Sequence, residues 1–286
     1  MGRLIEERLR EFLERELGSL EGVRFCGWDH AESNVWEVAA NDTRYYLKQH
    51  KQPRKFRQEV YAYQHWTPFL SNVPELIAFR ERPNALLLSA VPGVLAQKVT
   101  LTPSREKEVY RRAGAFLRRL HDVAFNDMDT LPLAEALLKR SESWLKRAEG
   151  FIDEQTTGWT RVQLEDAVSV IEQRGWMRVP CHRDYTARNW LLDDEDFYVI
   201  DFEHAKPDLF LTDFGKLSSL VWLQRPDLQN AFFGGYGRSL THDETGVLER
   251  LVAHGALVMV VWACEHGDKA FEQQGRAVLK RLKSKP

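Results

Sequence analysis

The chain has 286 residues, 43% hydrophobic and 29% charged, with 40 Lys and Arg against 42 Asp and Glu for a net charge of −2. That length can bury a core in one large domain or two lobes, and the balanced charge gives no general case for binding nucleic acid or a membrane surface. Cys26, Cys181 and Cys264 are scattered without CxxC spacing, so they are expected as reduced, buried small hydrophobes, which suits the cytoplasm.

The opening MGRLIEERLREFLEREL is charged throughout and lacks a signal peptide's apolar segment. No apolar run approaches the roughly 18 residues of a membrane helix. Leu4, Ile5, Leu9, Phe12, Leu13 and Leu17 recur at helical spacing, which predicts an amphipathic helix over 3–17. NVWEVA (34–39) and RYYLKQ (44–49) are rich in β-formers and flank the turn signal Asn41-Asp42, so they predict a hairpin. Pro53 suits a helix's first turn, with Phe56, Val60 and Tyr63 on one face. NALLLSAV (84–91) is an apolar strand candidate broken by Pro92-Gly93.

After Gly93 the pattern turns mostly helical. Pro103 opens a helix with Val109, Ala113, Phe116, Leu117 and Leu120 as its core stripe, and further helices are expected over 132–148, 161–175, 246–262 and 268–283. Between them lies a small β island of WLL (190–192), the turn DDED, and FYVID (197–201). The sequence thus predicts a two-lobed α+β chain jointed near Pro92-Gly93.

The island carries the chemistry. CHRDYTARNWLL (181–192) runs straight into WLL, and the acidic turn folds FYVID back, so Asp201 returns towards Asn189 and the loop holding Asp184. Carboxylates and an amide oxygen are hard ligands of the kind Mg²⁺ accepts while it keeps several waters and bridges phosphates. Asp184 could instead accept a hydroxyl proton. Plainer roles compete: Asp184 as a turn cap, and Asn189 and Asp201 satisfying turn backbone. Lys48 lies in a stretch, 44–57, with six Lys or Arg plus His50 and no acid, which also suits a solvated basic face.

The ordered set of Lys48, Glu59, LLLSAVPG, HRDYTARN and VIDFE resembles the catalytic and metal loops of the protein-kinase-like superfamily. The resemblance implies a small antiparallel-sheet N-terminal lobe with one key helix (1–89), a hinge (90–94) and a larger, mainly helical lobe (95–286). It implies Asp184 as the catalytic base, Asn189 and Asp201 as Mg²⁺ ligands, and Glu203 in the place of the DFG glycine. Lys48 would contact the phosphates, Glu59 would be its ion-pair partner, and the backbone of Ser89, Ala90 and Val91 would bind adenine. No GxGxxG is present; Gly27 is followed by WDHAESN, leaving Ser33 and the backbone of that tip to cover the phosphates.

FEHAKPDLFLT and then Asp213 follow Asp201 with no APE motif, which leaves too little chain for a peptide-docking segment. With LRRLHDV (117–123), this makes the chain similar to the aminoglycoside phosphotransferase and choline kinase-like family. That similarity implies transfer of the γ-phosphoryl of ATP, or GTP, to a hydroxyl of a small molecule. Asp213 would brace the catalytic loop, His121 and His182 would be scaffold residues, and Arg183 stands where this group more often has Gly.

The acceptor is less marked. Polycationic aminoglycosides need acidic pockets, for which Glu244, Glu265 and Asp268 are candidates, with Trp262, Phe232, Phe233 and Tyr236 as stacking surface. The basic ending RAVLKRLKSKP weighs against such a pocket and leaves room for neutral or nucleoside-like acceptors. By analogy with this branch, the expected acceptor is an antibiotic (aminoglycoside-like, nucleoside or macrolide), with a role in resistance or self-protection. The alternatives are a metabolite kinase of the choline, sugar or homoserine type and a catalytically inactive kinase-like binding module. A small-molecule acceptor is the expected partner, with no nucleic acid and no membrane, for a chain that is a monomer or weak homodimer.

Overall fold

The structure, a computed structural model, describes residues 4–27, 33–127, 129–194 and 196–284. In chain order the elements are α1 (Glu7–Leu17), β1 (Gly22–Phe25), β2 (Ser33–Ala40), β3 (Thr43–His50), α2 (Pro53–His65), β4 (Leu76–Glu81), β5 (Asn84–Ser89) and β6 (Val94–Leu95). There follow α3 (Pro103–His121), α4 (Leu133–Arg147), α5 (Glu154–Arg174), β7 (Val179–Cys181), β8 (Trp190–Asp193), β9 (Asp196–Val199) and β10 (Lys206–Asp208). A single turn, α6 (Gly215–Leu217), then leads to α7 (Pro226–Tyr236), α8 (His242–His266) and α9 (Lys269–Lys283).

Two compact units result, one of residues 1–100 with 187–206 and the other of 101–186 with 207–286. The first is built on an antiparallel sheet in the order β1-β2-β3-β5-β4. The β2–β3 turn has positive φ at both Asn41 (53°) and Asp42 (57°), which matches the right-handed twist of a hairpin. Leu9, Phe12 and Leu13 of α1 are buried with Trp36, Val38, Leu47, Ala85 and Leu87 from the central strands. The helix begins at Glu7, later than its apolar spacing predicts.

The edge strands β1 and β4 have no counterpart in the sequence expectations. GVRF and LIAFRE are half-exposed along their length and mix Arg or Glu with apolar residues, so neither reads as an apolar run. A second small sheet, β6-β8-β9, belongs to the same unit. Gly93 enters it at φ 103°, and a Cβ there would collide with the Leu192 carbonyl, so only glycine lets the chain pass.

The second unit is mainly helical. α3 crosses α7 at glycine-sized spacing: a Cβ on Gly114 would overlap the Phe232 carbonyl, and one on Gly235 would overlap the Arg111 carbonyl. The pair of glycines in AFFGGY argues locally against a helix, which is why α7 is not legible in sequence. α5 starts at Glu154, seven residues before the predicted 161, because Asp153 caps it by accepting from Thr156 N–H at 2.7 Å. α8 outruns its predicted 246–262 at both ends, opened by a Thr241/Glu244 capping box and closed by Gly267. It is long and apolar enough to cross a membrane, but 56% of its most apolar window is buried within the fold, as in a core helix.

Candidate active site

In the first unit, β3 carries Lys48 on a central strand, paired with Val35 on one side and Leu86 on the other. Its side chain is 8% exposed, and its Nζ meets Glu59 Oε2 at 3.0 Å, Asp201 Oδ1 at 2.5 Å and Glu203 Oε2 at 3.1 Å. Glu59 projects from α2, is fully buried, and accepts from His50 Nε2 at 2.7 Å. Glu203 also takes Lys55 Nζ at 3.3 Å and the Ser33 hydroxyl at 3.3 Å. Burial opposes the Lys48 charge, but Asp201, Glu59 and Glu203 outweigh it and hold its pKa well above the usual value. Burial raises Glu59, and Lys48 and His50 pull it below the ordinary carboxylate range all the same. Glu203 is lowered in the same way, against its burial, by His204, Lys48 and Lys55. The cluster thus gathers three acids around Lys48, hard oxygen donors of the kind that fits a divalent cation.

The β8–β9 hairpin delivers Asp201. Ile200 N–H donates to the Asn189 carbonyl at 3.0 Å, so Asn189 and Asp201 end up on adjoining positions of the same hairpin. Asp201 has φ 69°, a left-handed conformation that a non-glycine residue holds only where its surroundings enforce it. Asn189 is buried.

In the second unit, Asp213 is the organising group. It is 2% exposed; Oδ2 accepts from His182 N–H at 3.0 Å and from His121 Nε2 at 3.0 Å, and Oδ1 accepts from Arg183 N–H. The carboxylate can only accept, so His121 donates through Nε2, and its Nδ1 is hydrogen-bonded with the Tyr236 hydroxyl at 2.9 Å. The loop backbone is thereby pinned through Arg183, which sits at φ 64°. Asp184 follows, 2% exposed, with its N–H donating to His182 Nδ1 at 3.3 Å and its Oδ1 taking the ammonium of Lys216. Arg183 Nε pairs with Asp208 at 3.0 Å, beside Arg140 at 2.8 Å. Cys181 is buried, its thiol pushed well up by that burial, and it donates to the Asp208 carbonyl; it is no nucleophile.

The structure thus brings Lys48, Glu59, Asp201 and Ser33 together in one unit, with Glu203 among them. Ser33 opens β2 rather than sitting at a loop tip. Trp28–Glu32 of the expected phosphate-covering turn, and Glu195 of DDED, lie outside the described residues. At the hinge, Ser89 N–H donates to the Glu75 carbonyl at 2.9 Å and Ala90 N–H to that of Arg44 at 3.2 Å, which leaves Val91 N–H as the donor outside those two bonds.

The acceptor candidates have partners within the fold. Glu265 pairs with Arg147, whose Nε lies at 3.0 Å, and Asp268 caps α9 by accepting from Phe271 N–H at 3.0 Å. Trp262 is 37% exposed and stacks on His266. Tyr236 lies in an aromatic core with Phe214, Phe232 and Phe233. Lys216 and Lys55 escaped the sequence reading; each pairs with an acid far along the chain, and no local spacing signals that.

The profile of the phosphotransferase enzyme family matches residues 26–251. The chain belongs to that family. This phosphotransferase is a small-molecule kinase. No curated protein matches it in direct sequence comparison. Solved structures share its fold at low identity. The GDP and kanamycin complex of APH(2″)-IIia aligns with TM-score 0.73 and 13% identity, covering 98% of this chain and 99% of the other. A macrolide 2′-phosphotransferase type I aligns at 0.64 and 16%, covering 97% and 98%. A choline/ethanolamine kinase family protein from Mesorhizobium loti aligns at 0.70 and 16%, covering 97% and 96%.

Proposed function

We propose that this kinase transfers the γ-phosphoryl group of ATP or GTP to a hydroxyl of a small molecule. The observation that carries the reading is the Lys48–Glu59–Asp201 cluster, a buried ammonium fixed by a buried acid and a partly exposed one. Glu59 orients Lys48 towards the phosphates, with Ser33 beside them and the Ser89–Val91 backbone against the base. Asn189 and Asp201 hold Mg²⁺, which when bound neutralises phosphate charge. Asp184 takes the proton of the acceptor hydroxyl as that oxygen bonds to the γ-phosphorus and the bridging P–O bond breaks towards the nucleoside diphosphate.

The functional lobes we assign are 1–89 and 95–286, joined by the hinge 90–94. The acceptor is an antibiotic or related natural product of aminoglycoside-like, nucleoside or macrolide type, in a cytoplasmic resistance or self-protection role. The fold shared with a choline/ethanolamine kinase family protein supports metabolite phosphorylation as the second reading. ADP release from Mg²⁺·ATP against a panel of antibiotics, nucleosides, sugars, choline and homoserine tests the assignment. At least one compound should raise the rate about tenfold or more over water. A rate that no member of the panel changes would set the acceptor class aside.

A further inference from the structure

Lys216 stands outside every motif used so far, yet its ammonium is in contact with the proposed base. We propose that Lys216 positions the Asp184 carboxylate for the acceptor hydroxyl and selects acceptors that carry no positive charge beside that hydroxyl. The proposal rests on the reading of Asp184 as the base.

The geometry ties two groups to one short segment. Asp213 accepts from the backbone N–H of His182 and Arg183, fixing the loop, while Lys216, three residues later, donates to Asp184 Oδ1 and fixes the side chain. The turn α6 begins at Gly215, directly after Asp213-Phe214, so both anchors issue from continuous helical backbone. Asp184's side chain is 3% exposed and that of Lys216 is 42%, so solvent reaches the pair from the lysine side. His182, whose Nδ1 accepts the Asp184 N–H, and Asp213, which accepts from the His182 N–H, are also titratable groups of this loop. On that solvent-facing side Lys216 presents its charge to an acceptor approaching Asp184. A carboxylate held through one oxygen by a fixed charge loses rotational freedom, which favours proton transfer at a defined position.

The same charge bears on specificity. An acceptor with an ammonium next to its reacting hydroxyl would bring it within a few ångström of Lys216, and like charges at such a distance repel. Compensation would need free carboxylates, and the acids this unit offered for a cationic acceptor are engaged. Both oxygens of Glu244 take Arg238, at 2.7 and 2.9 Å, Glu265 takes Arg147, and Asp268 caps α9. Of the acceptor types proposed above, the one that fits is a neutral or anionic hydroxyl compound, nucleoside-like or polyol-like, and the polycationic aminoglycoside type is set aside.

The test uses the full chain with Mg²⁺·ATP and reads ADP release with water, uridine, D-ribose, chloramphenicol or kanamycin as acceptor, for wild type, Lys216→Met, Lys216→Arg and Asp184→Asn. The Met variant should lose about tenfold or more in kcat on water and on uncharged acceptors, with KM for ATP held within about twofold. The Arg variant, which keeps the charge, should retain at least about a third of kcat. Kanamycin should not be turned over by wild type. Met-variant kcat within about twofold of wild type, a loss confined to KM for ATP, or kanamycin used as well as the uncharged compounds overturns the proposal. If Lys216→Met is unchanged while Asp184→Asn is inactive, only the role of Lys216 falls. If Asp184→Asn itself matches wild type, the base assignment falls with it. Should the Met variant fold poorly, the Arg variant and the kanamycin arm decide.

Discussion

The clusters around Lys48 and around Asp213 treat their acids in opposite ways. Around Lys48 the first unit packs Glu59, Asp201 and Glu203 against ammonium groups, side chain to side chain. Around Asp213 the second unit gives one carboxylate to two backbone N–H groups and a histidine. The first arrangement gathers charge; the second fixes geometry, holding a loop in place. A kinase needs both, because phosphates are recognised by charge while a hydroxyl proton is taken only by a base at a defined position.

The largest effect should come from breaking the second arrangement. Asp213→Ala leaves buried donors on His182, Arg183 and His121 without their acceptor, each costing about 1–3 kcal/mol. Thermal melts should show a fall of roughly 10 °C or more, together with loss of activity. A variant that melts like wild type would mean the loop is held by something other than Asp213.

Acid titration separates the units with a smaller effect. Burial lowers the pKa of His254 on α8 to about 4, and its Nε2 is buried with no hydrogen-bond partner among the described residues. Below its ordinary value of 6.5 the unfolded chain takes up a proton that the folded chain refuses, so stability falls as pH drops from about 6.5 towards 4. The loss should be about 2–3 kcal/mol. Glu59 and Glu203 are lowered from 4.5, so the stability they contribute is lost only at more acid pH. Urea unfolding at a series of pH values should therefore show the second unit weakening first, with His254→Phe flattening the slope above pH 4.5. An unchanged slope in that variant would assign the early loss elsewhere.

Much of the first unit was legible because local pattern and chemistry agree there. The β2–β3 hairpin is written in alternation and an Asn-Asp turn, and Lys48 and Glu59 each sit on an element whose type the sequence announces, whereas Asp201 lies two residues past the end of β9 instead of on the expected strand 197–201. The edge strands were hidden by their own exposure, since Arg and Glu in LIAFRE blunt an edge and erase an apolar signal. In the second unit the glycines that let α3 and α7 approach closely are the residues that mask α7. Tyr236 shows a different limit: an aromatic in a helix reads alike whether it faces a ligand or, as here, Phe232 and His121. Lys216 and Asp184, 32 residues apart, carry no shared spacing at all.

The most direct test of the account is Asp184→Asn, assayed for ADP release and for the rise in melting temperature that Mg²⁺·ATP produces. Turnover should drop by about a thousandfold while the nucleotide-induced rise persists, because the Lys48 cluster is untouched. Turnover within about tenfold of wild type would show that the proton goes elsewhere and would contradict the account.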